Sequence, residues 1–192
     1  CLALRQDAGL VRLYDPLCGS GYLLCVLAYL HWDSLSQVVG SDVDPEAVRL
    51  AARNLALLTP AGIEERRQEL RSLAVAYRKE SHQAALAALD QLEARLHAHL
   101  AVHPLGSQLF QADALDPQSL ARHLGPAAVD VVVTDLPYGW QTQWQGDAAQ
   151  DRDHSPTWHL LQALRGILVP GALVAIATVK KDRVAHECYQ RR

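Results

Sequence analysis

The sequence contains no apolar run near the roughly 20 residues that a bilayer-spanning helix requires. It opens with no basic segment followed by an apolar stretch and a small-residue cleavage site, so no secretory signal is expected. Its four cysteines, Cys1, Cys18, Cys25 and Cys188, include no Cys-x-x-Cys pair and suggest no disulfide framework. A reducing, cytoplasmic setting is the expectation. An excess of positive charge is missing too: the formal net charge is -3, a mild argument against nucleic acid, because phosphate binding draws on Lys and Arg. What the chain does have is apolar content, 49% of 192 residues. That is enough for one domain with a sizeable core and too much for disorder. The chain starts at Cys1 rather than Met and stops at Arg192 just after a strand-like segment. It is therefore read as a single-domain fragment, residues 1–192, of something longer.

Patterning gives an alternation of elements. Leu10 to Tyr14 reads as a buried strand, followed by a glycine turn and an apolar helix from about Tyr22 to Trp32. Gln37 to Gly40 is a second strand. Pro45 suits the first turn of a helix that runs to about Leu58, with Val48, Ala51, Ala52 and Leu55 on one face. Gln108 to Ala112 and the β-branched Val129 to Thr134 are a third and fourth strand. A helix over Thr157 to Ile167, the pair Pro170-Gly171 and a fifth strand over Ala172 to Thr178 complete the series. Continuously apolar strands alternating with helices predict an α/β, doubly wound Rossmann-like fold whose parallel sheet is covered on both faces. Residues 60–103 break the alternation. Leu70, Leu73 and Tyr77 form one helical stripe and Leu86, Leu89, Leu92, Leu96 and Leu100 another, which predicts an inserted helical hairpin with Ser81 capping its second helix. Such a hairpin either packs on the core as a solvated amphipathic pair or recognises substrate.

Ligands of open parallel sheets bind at the carboxyl ends of the strands, and four strand ends here carry chemistry. Asp15-Pro16-Leu17-Cys18-Gly19-Ser20-Gly21 follows the first strand and opens the first helix. Gly19 and Gly21 allow close backbone approach to a ligand, and the helix start offers unpaired N–H groups. A dinucleotide fingerprint would place a third glycine where Leu24 stands, and a carboxylate beside a pyrophosphate is repulsive. Asp15 suits a ligand with an ammonium group, such as the methionine part of S-adenosylmethionine. Asp42 ends the second strand, where a carboxylate can accept from both hydroxyls of a ribose; Asp44 either shares that task or caps the helix at Pro45. Asp113 follows the third strand and can accept from the amine of adenine, or serve as a turn residue. Cys18 has no neighbouring base and is read as a packing residue within the cofactor turn. His99 and His103 lie one helical turn apart, but no Cys or carboxylate completes a set, so no metal is expected.

Asp135-Leu136-Pro137-Tyr138-Gly139 after the fourth strand is the most specific signal. Together with the Asp15 to Gly21 turn it resembles the class I methyltransferases that modify nucleobase nitrogens, with Leu136 in place of their first proline. More closely, Cys18 to Leu24, Ser41-Asp42-Val43-Asp44-Pro45, Asn54 to Leu58, Thr134 to Gly139 and the long helical insertion resemble the AviRa-like ribosomal RNA methyltransferases, a family associated with avilamycin resistance. The likeness runs from about Tyr14 to Thr178. It implies methylation, from S-adenosylmethionine, of a guanine ring nitrogen in large-subunit (23S) ribosomal RNA. It also implies that the final strands of the sheet lie beyond Arg192.

The residues support that chemistry without the family name. The Asp135 carboxylate and the Leu136 carbonyl can accept from base N–H groups, and the carboxylate can take the departing proton; Asp135 is also expected to join Asp15, Asp42 and Asp113 in binding the cofactor. Pro137 stiffens the turn. Tyr138 can stack on the base, with Gly139 beside it, and Trp140 and Trp144 can stack on neighbouring nucleotides unless one packs beneath the loop. The alternatives are another nucleobase amine, a protein side-chain amide, or a non-catalytic cofactor-binding module.

Overall fold

A computed structural model describes residues 9–77, 80–137, 144, 151, 154–178 and 189. Five parallel strands form one sheet in the order β3-β2-β1-β4-β5. They are β1 (Val11–Asp15), β2 (Leu35–Asp42), β3 (Gly106–Gln111), β4 (Val129–Asp135) and β5 (Leu168–Ala177). Six helices connect them: α1 (Tyr22–His31), α2 (Pro45–Ala56), α3 (Pro60–Tyr77), α4 (Glu80–Leu100), α5 (Pro117–His123) and α6 (Pro156–Arg165). The parallel pairing and the alternation of strands with helices match the doubly wound expectation. The order reverses at β1, which places the switch point of the sheet beside Asp15.

The strands are apolar on both faces because both are covered. Successive residues of a strand point to opposite sides. Leu13, Val38 and Val131 therefore join one cluster with Leu24, Trp32 and Leu55, while Tyr14, Val39 and Val132 join another with Leu120, Leu160 and Leu164. Each fully buried Leu contributes about 1.5–3 kcal/mol.

The insertion is a hairpin of α3 and α4, and it packs on the first of these clusters. Ile63, Leu70, Leu89 and Leu96 are buried in that cluster, with Leu86, Leu92 and Leu100 packed against it. The α3 stripe differs from expectation. Leu73 and Tyr77 are exposed, whereas Gly62, Ile63, Arg67 and Leu70 face inward. Arg67 explains the shift, since it bridges to Glu64, Asp90 and, at 2.7 Å, Glu93. Its fork of donors pins α3 to α4. Ser81 lies one residue inside α4 rather than at its cap.

Two further differences concern boundaries. Three-residue 3-10 turn Trp32–Ser34 separates α1 from β2, whose first residue is Leu35. Pro170 and Gly171 lie within β5, not before it. The β4–β5 register jumps between Val129↔Leu168 and Val131↔Leu173, so the pair sits in a bulge, where a missing N–H and a positive φ are tolerated. His99 and His103 are structural: His99 Nε2 lies 3.1 Å from the Tyr29 carbonyl and His103 Nε2 3.1 Å from the Trp32 carbonyl. Among the described residues no helix is long and apolar enough to cross a membrane.

Candidate active site

The turn after β1 is tied down by backbone bonds. Cys18 N–H donates to the Ser41 carbonyl at 2.9 Å, and Gly21 N–H to the Cys18 carbonyl at 2.7 Å. Gly19 has φ 50° and Gly21 φ 72°, a region that costs other residues strain. The two glycines differ in surroundings. A Cβ on Gly21 would stand 3.0 Å from Ala51 Cβ and Leu55 Cδ1, whereas one on Gly19 would meet nothing within 4 Å. Gly21 thus lets α1 close against α2, and Gly19 leaves its side of the turn open to a ligand. α1 starts at Gly21 without a side-chain cap, so its first N–H groups are available.

Asp15 is buried to 2% exposure at the end of β1. Thr134 donates its hydroxyl to Asp15 Oδ1 at 2.8 Å, and Leu17 N–H donates to the same oxygen at 3.1 Å. Burial drives the Asp15 pKa from 3.8 up to about 7; the bonds from Thr134 and Leu17 oppose the rise, and the charges of Asp42 and Asp135 add to it. That mutual influence marks a convergence of three strand-end carboxylates at one edge of the sheet.

Asp42 ends the neighbouring strand β2. Its Oδ2 accepts from Gly19 N–H at 2.9 Å and its Oδ1 from Asp44 N–H at 3.0 Å. A carboxylate has about four acceptor positions, so two remain for a ligand. Asp44 accepts from Glu46 N–H at 2.8 Å and caps α2, the role its place before Pro45 allowed. Asp113 Oδ1 accepts from Leu115 N–H at 2.9 Å, closing a turn, while Asp116 caps α5.

Cys18 is buried, and desolvation holds its thiol far above the ordinary value. That supports its reading as a packing residue. Asp135 is exposed at the end of β4. Leu136 donates its N–H to the Ala177 carbonyl at 3.0 Å and buries its side chain, so only its carbonyl can face a substrate. Pro137 is half-buried. Trp144 is half-buried against the same apolar cluster as Leu136 and Leu160. Tyr138, Gly139 and Trp140 lie outside the described residues.

Sequence reasoning assigned no role to Thr134 or Asn54. Thr134 reads as one more β-branched strand residue; the signal was a hydroxyl directly before Asp135 in an otherwise aliphatic run. Asn54 donates to the Ser20 carbonyl at 2.9 Å and so fixes the glycine turn from α2.

The five-stranded order, the glycine turn at the switch point and the ring of strand-end carboxylates define a Rossmann-like methyltransferase domain. The family model described as rRNA methyltransferase AviRa matches residues 1–192. A curated relative, the 23S rRNA (guanine(2535)-N(1))-methyltransferase of Streptomyces viridochromogenes, is 44% identical over 175 residues, covering 91% of this chain and 68% of its own. Two solved structures of the rRNA methyltransferase aviRa from the same organism superpose with TM-scores of 0.78 and 0.74. Their identities are 41% and 42%, covering 96% and 91% of this chain and 74% and 70% of theirs. The chain belongs to the AviRa family of rRNA methyltransferases.

Proposed function

We propose that the chain methylates a guanine ring nitrogen in 23S ribosomal RNA with S-adenosylmethionine as donor, in the cytoplasm. The observation that carries this reading is a glycine turn held between Asp15 and Asp42 at the ends of neighbouring strands, through Leu17 and Gly19 N–H, with Gly19 leaving one side open. The activity named for the Streptomyces relative supports the choice of base and RNA. A cationic, ribose-bearing ligand fits the donor set. Asp15 Oδ2 is the oxygen left for an ammonium group, since both described bonds fall on Oδ1. The spare lone pairs of Asp42 suit ribose hydroxyls, and Asp113 suits an adenine amine. Cys18, Ser20 and Gly21 contribute backbone. Bound there, S-adenosylmethionine supplies a sulfonium methyl group whose transfer is intrinsically facile, so positioning of the base provides most of the catalysis.

The second part of the site is then Asp135, Leu136 and Pro137, followed in sequence by Tyr138, Gly139, Trp140 and, further on, Trp144. The Leu136 carbonyl orients the base edge, and Asp135 orients it and accepts the ring-nitrogen proton. Tyr138 stacks on the base. The test offers methyl-labelled donor with naked 23S RNA, assembled large subunits and a protein extract. Label in a guanine of the RNA, located by mass spectrometry, is the expected outcome. Label confined to protein overturns the substrate assignment, and absence of donor binding overturns the cofactor.

A further inference from the structure

A cluster outside this site has the chemistry of a metal centre. Asp151, His154 and His159 bring one carboxylate oxygen and two ring nitrogens within 4.8 Å of one another. His159 Nε2 lies 2.8 Å, and His154 Nδ1 3.6 Å, from Asp151 Oδ2. We propose that these three residues bind a divalent transition metal of the zinc class. The inference is independent of the methyl-transfer reading.

Three features favour a metal over a plain Asp–His ion pair. First, the donor set is two imidazoles and one carboxylate, the number and kind of protein ligands found in three-ligand zinc sites, which keep a water in the fourth position. Second, the spacing is nearly right. Ligand atoms about 2.0–2.2 Å from a tetrahedral zinc stand about 3.3–3.5 Å apart. The Asp151–His154 separation of 3.6 Å is close to that value, and the 2.8 Å pair needs to open by little more than half an ångström. Third, the ligands are held before any ion arrives. Ser155 caps α6 through Trp158 N–H, and Pro156 occupies its first turn. The Trp158 ring stacks on His154 at 4.0 Å and meets His159 edge-on at 5.2 Å. Both imidazole planes are therefore set by one indole. Because α6 follows β4 and runs back towards the start of β5, its first turn lies at the carboxyl edge of the sheet, and the ion would fasten Asp151 to that turn.

Protein stripped with a chelator and titrated with Zn²⁺ in a calorimeter tests this, with Co²⁺ absorption as a second readout of coordination. The expected result is one saturable equivalent with micromolar or tighter affinity and a tetrahedral or five-coordinate Co²⁺ spectrum. His154→Ala and His159→Ala should each weaken binding at least tenfold, and Asp151→Asn similarly, with circular dichroism unchanged. Zn²⁺ should raise the melting temperature of the unaltered protein and not of the triple variant. No saturable binding to the unaltered chain overturns the proposal, as does equal binding by the folded triple variant, which would place the metal on other histidines or thiols.

Discussion

Thr134 and Asp15 meet across adjacent strands β4 and β1, hydroxyl to carboxylate at 2.8 Å, with both side chains buried. The bond acts on the ionised form of Asp15, since a hydroxyl that donates to a carboxylate stabilises its charge. Thr134 is thus a positioning residue for the proposed cofactor. Thr134→Val keeps shape and removes the donor. Hydrogen bonds to charged groups are worth about 1.5–3 kcal/mol, so S-adenosylmethionine affinity should fall roughly 10–100-fold near pH 7, with turnover at saturating donor little changed. Thr134→Ser should restore it. A merely packing role for Thr134 predicts the opposite pattern, with Val tolerated and Ser harmful.

The raised pKa of Asp15 has a consequence for pH. In the folded chain it titrates near 7, against an ordinary 3.8, so the folded state holds the proton more tightly than the unfolded one. The stability this confers is complete below pH 3.8 and is lost as pH rises to about 7, a change on the order of 4 kcal/mol. Asp15→Asn should therefore raise the melting temperature of the free protein more at pH 8 than at pH 5, while abolishing tight donor binding. In the unaltered protein, a cationic ligand favours ionised Asp15, so binding near pH 6.5 should release a proton. Calorimetry in buffers of different ionisation enthalpy measures that proton. A stability gap independent of pH, or binding without proton release, would show that Asp15 titrates as an ordinary carboxylate.

Asp42 joins the glycine turn to the ribose position proposed for the donor. Its two backbone acceptor bonds hold Gly19 and Asp44, and its remaining lone pairs are those assigned to the hydroxyls. Asp42→Ala should weaken donor binding by about 1.5–3 kcal/mol from the ligand's hydrogen bonds alone, and by more if Gly19 moves. Unchanged affinity in a folded Asp42→Ala protein removes Asp42 from the site.

The alternating strands and helices, the helical insertion and the strand-end aspartates are legible in the sequence because each rests on a local pattern: continuous apolar runs, leucine periodicity, or a carboxylate directly after a strand. What stayed hidden depends on partners distant in the chain. Arg67 looks like a surface charge of α3 until Asp90 and Glu93 of α4 come opposite it. Thr134 looks like strand filler until Asp15, 119 positions away, is placed beside it. The bulge that holds Pro170 and Gly171 exists only in the pairing of β4 with β5. Asp44 and Asp113 were ambiguous because a cap, a turn and a ligand all ask for the same side chain, and the structure assigns each a backbone bond without closing its other lone pairs.

Asp135 stands at the exposed end of β4, beyond the buried Thr134 and Asp15. In the proposed function Asp135 handles the base. Asp135→Ala should leave donor affinity within a few-fold of the original and slow methyl transfer about 100-fold or more, the usual range for loss of a positioned acid–base group. Single-turnover measurements with prebound donor isolate the step. A variant as fast as the original under those conditions would remove Asp135 from the chemistry.

Substrate selection can be tested through Tyr138. A guanine inside a paired helix cannot present its ring nitrogen at the end of a strand, so the enzyme must take an unpaired base or extrude one, at a cost of a few kcal/mol. Stacking on an aromatic ring returns about 1–3 kcal/mol of that. Tyr138→Ala should therefore lower methylation of RNA by roughly 10–100-fold with donor binding unchanged, and the deficit should shrink on a short oligonucleotide in which the target guanine is already unpaired. Free guanosine should be methylated poorly by both proteins, since it lacks neighbouring bases and phosphates. Salt should weaken RNA binding with a shallow slope, in keeping with the net charge of -3. An equal deficit on paired and unpaired substrates would mean that Tyr138 acts on the chemical step rather than on capture of the base.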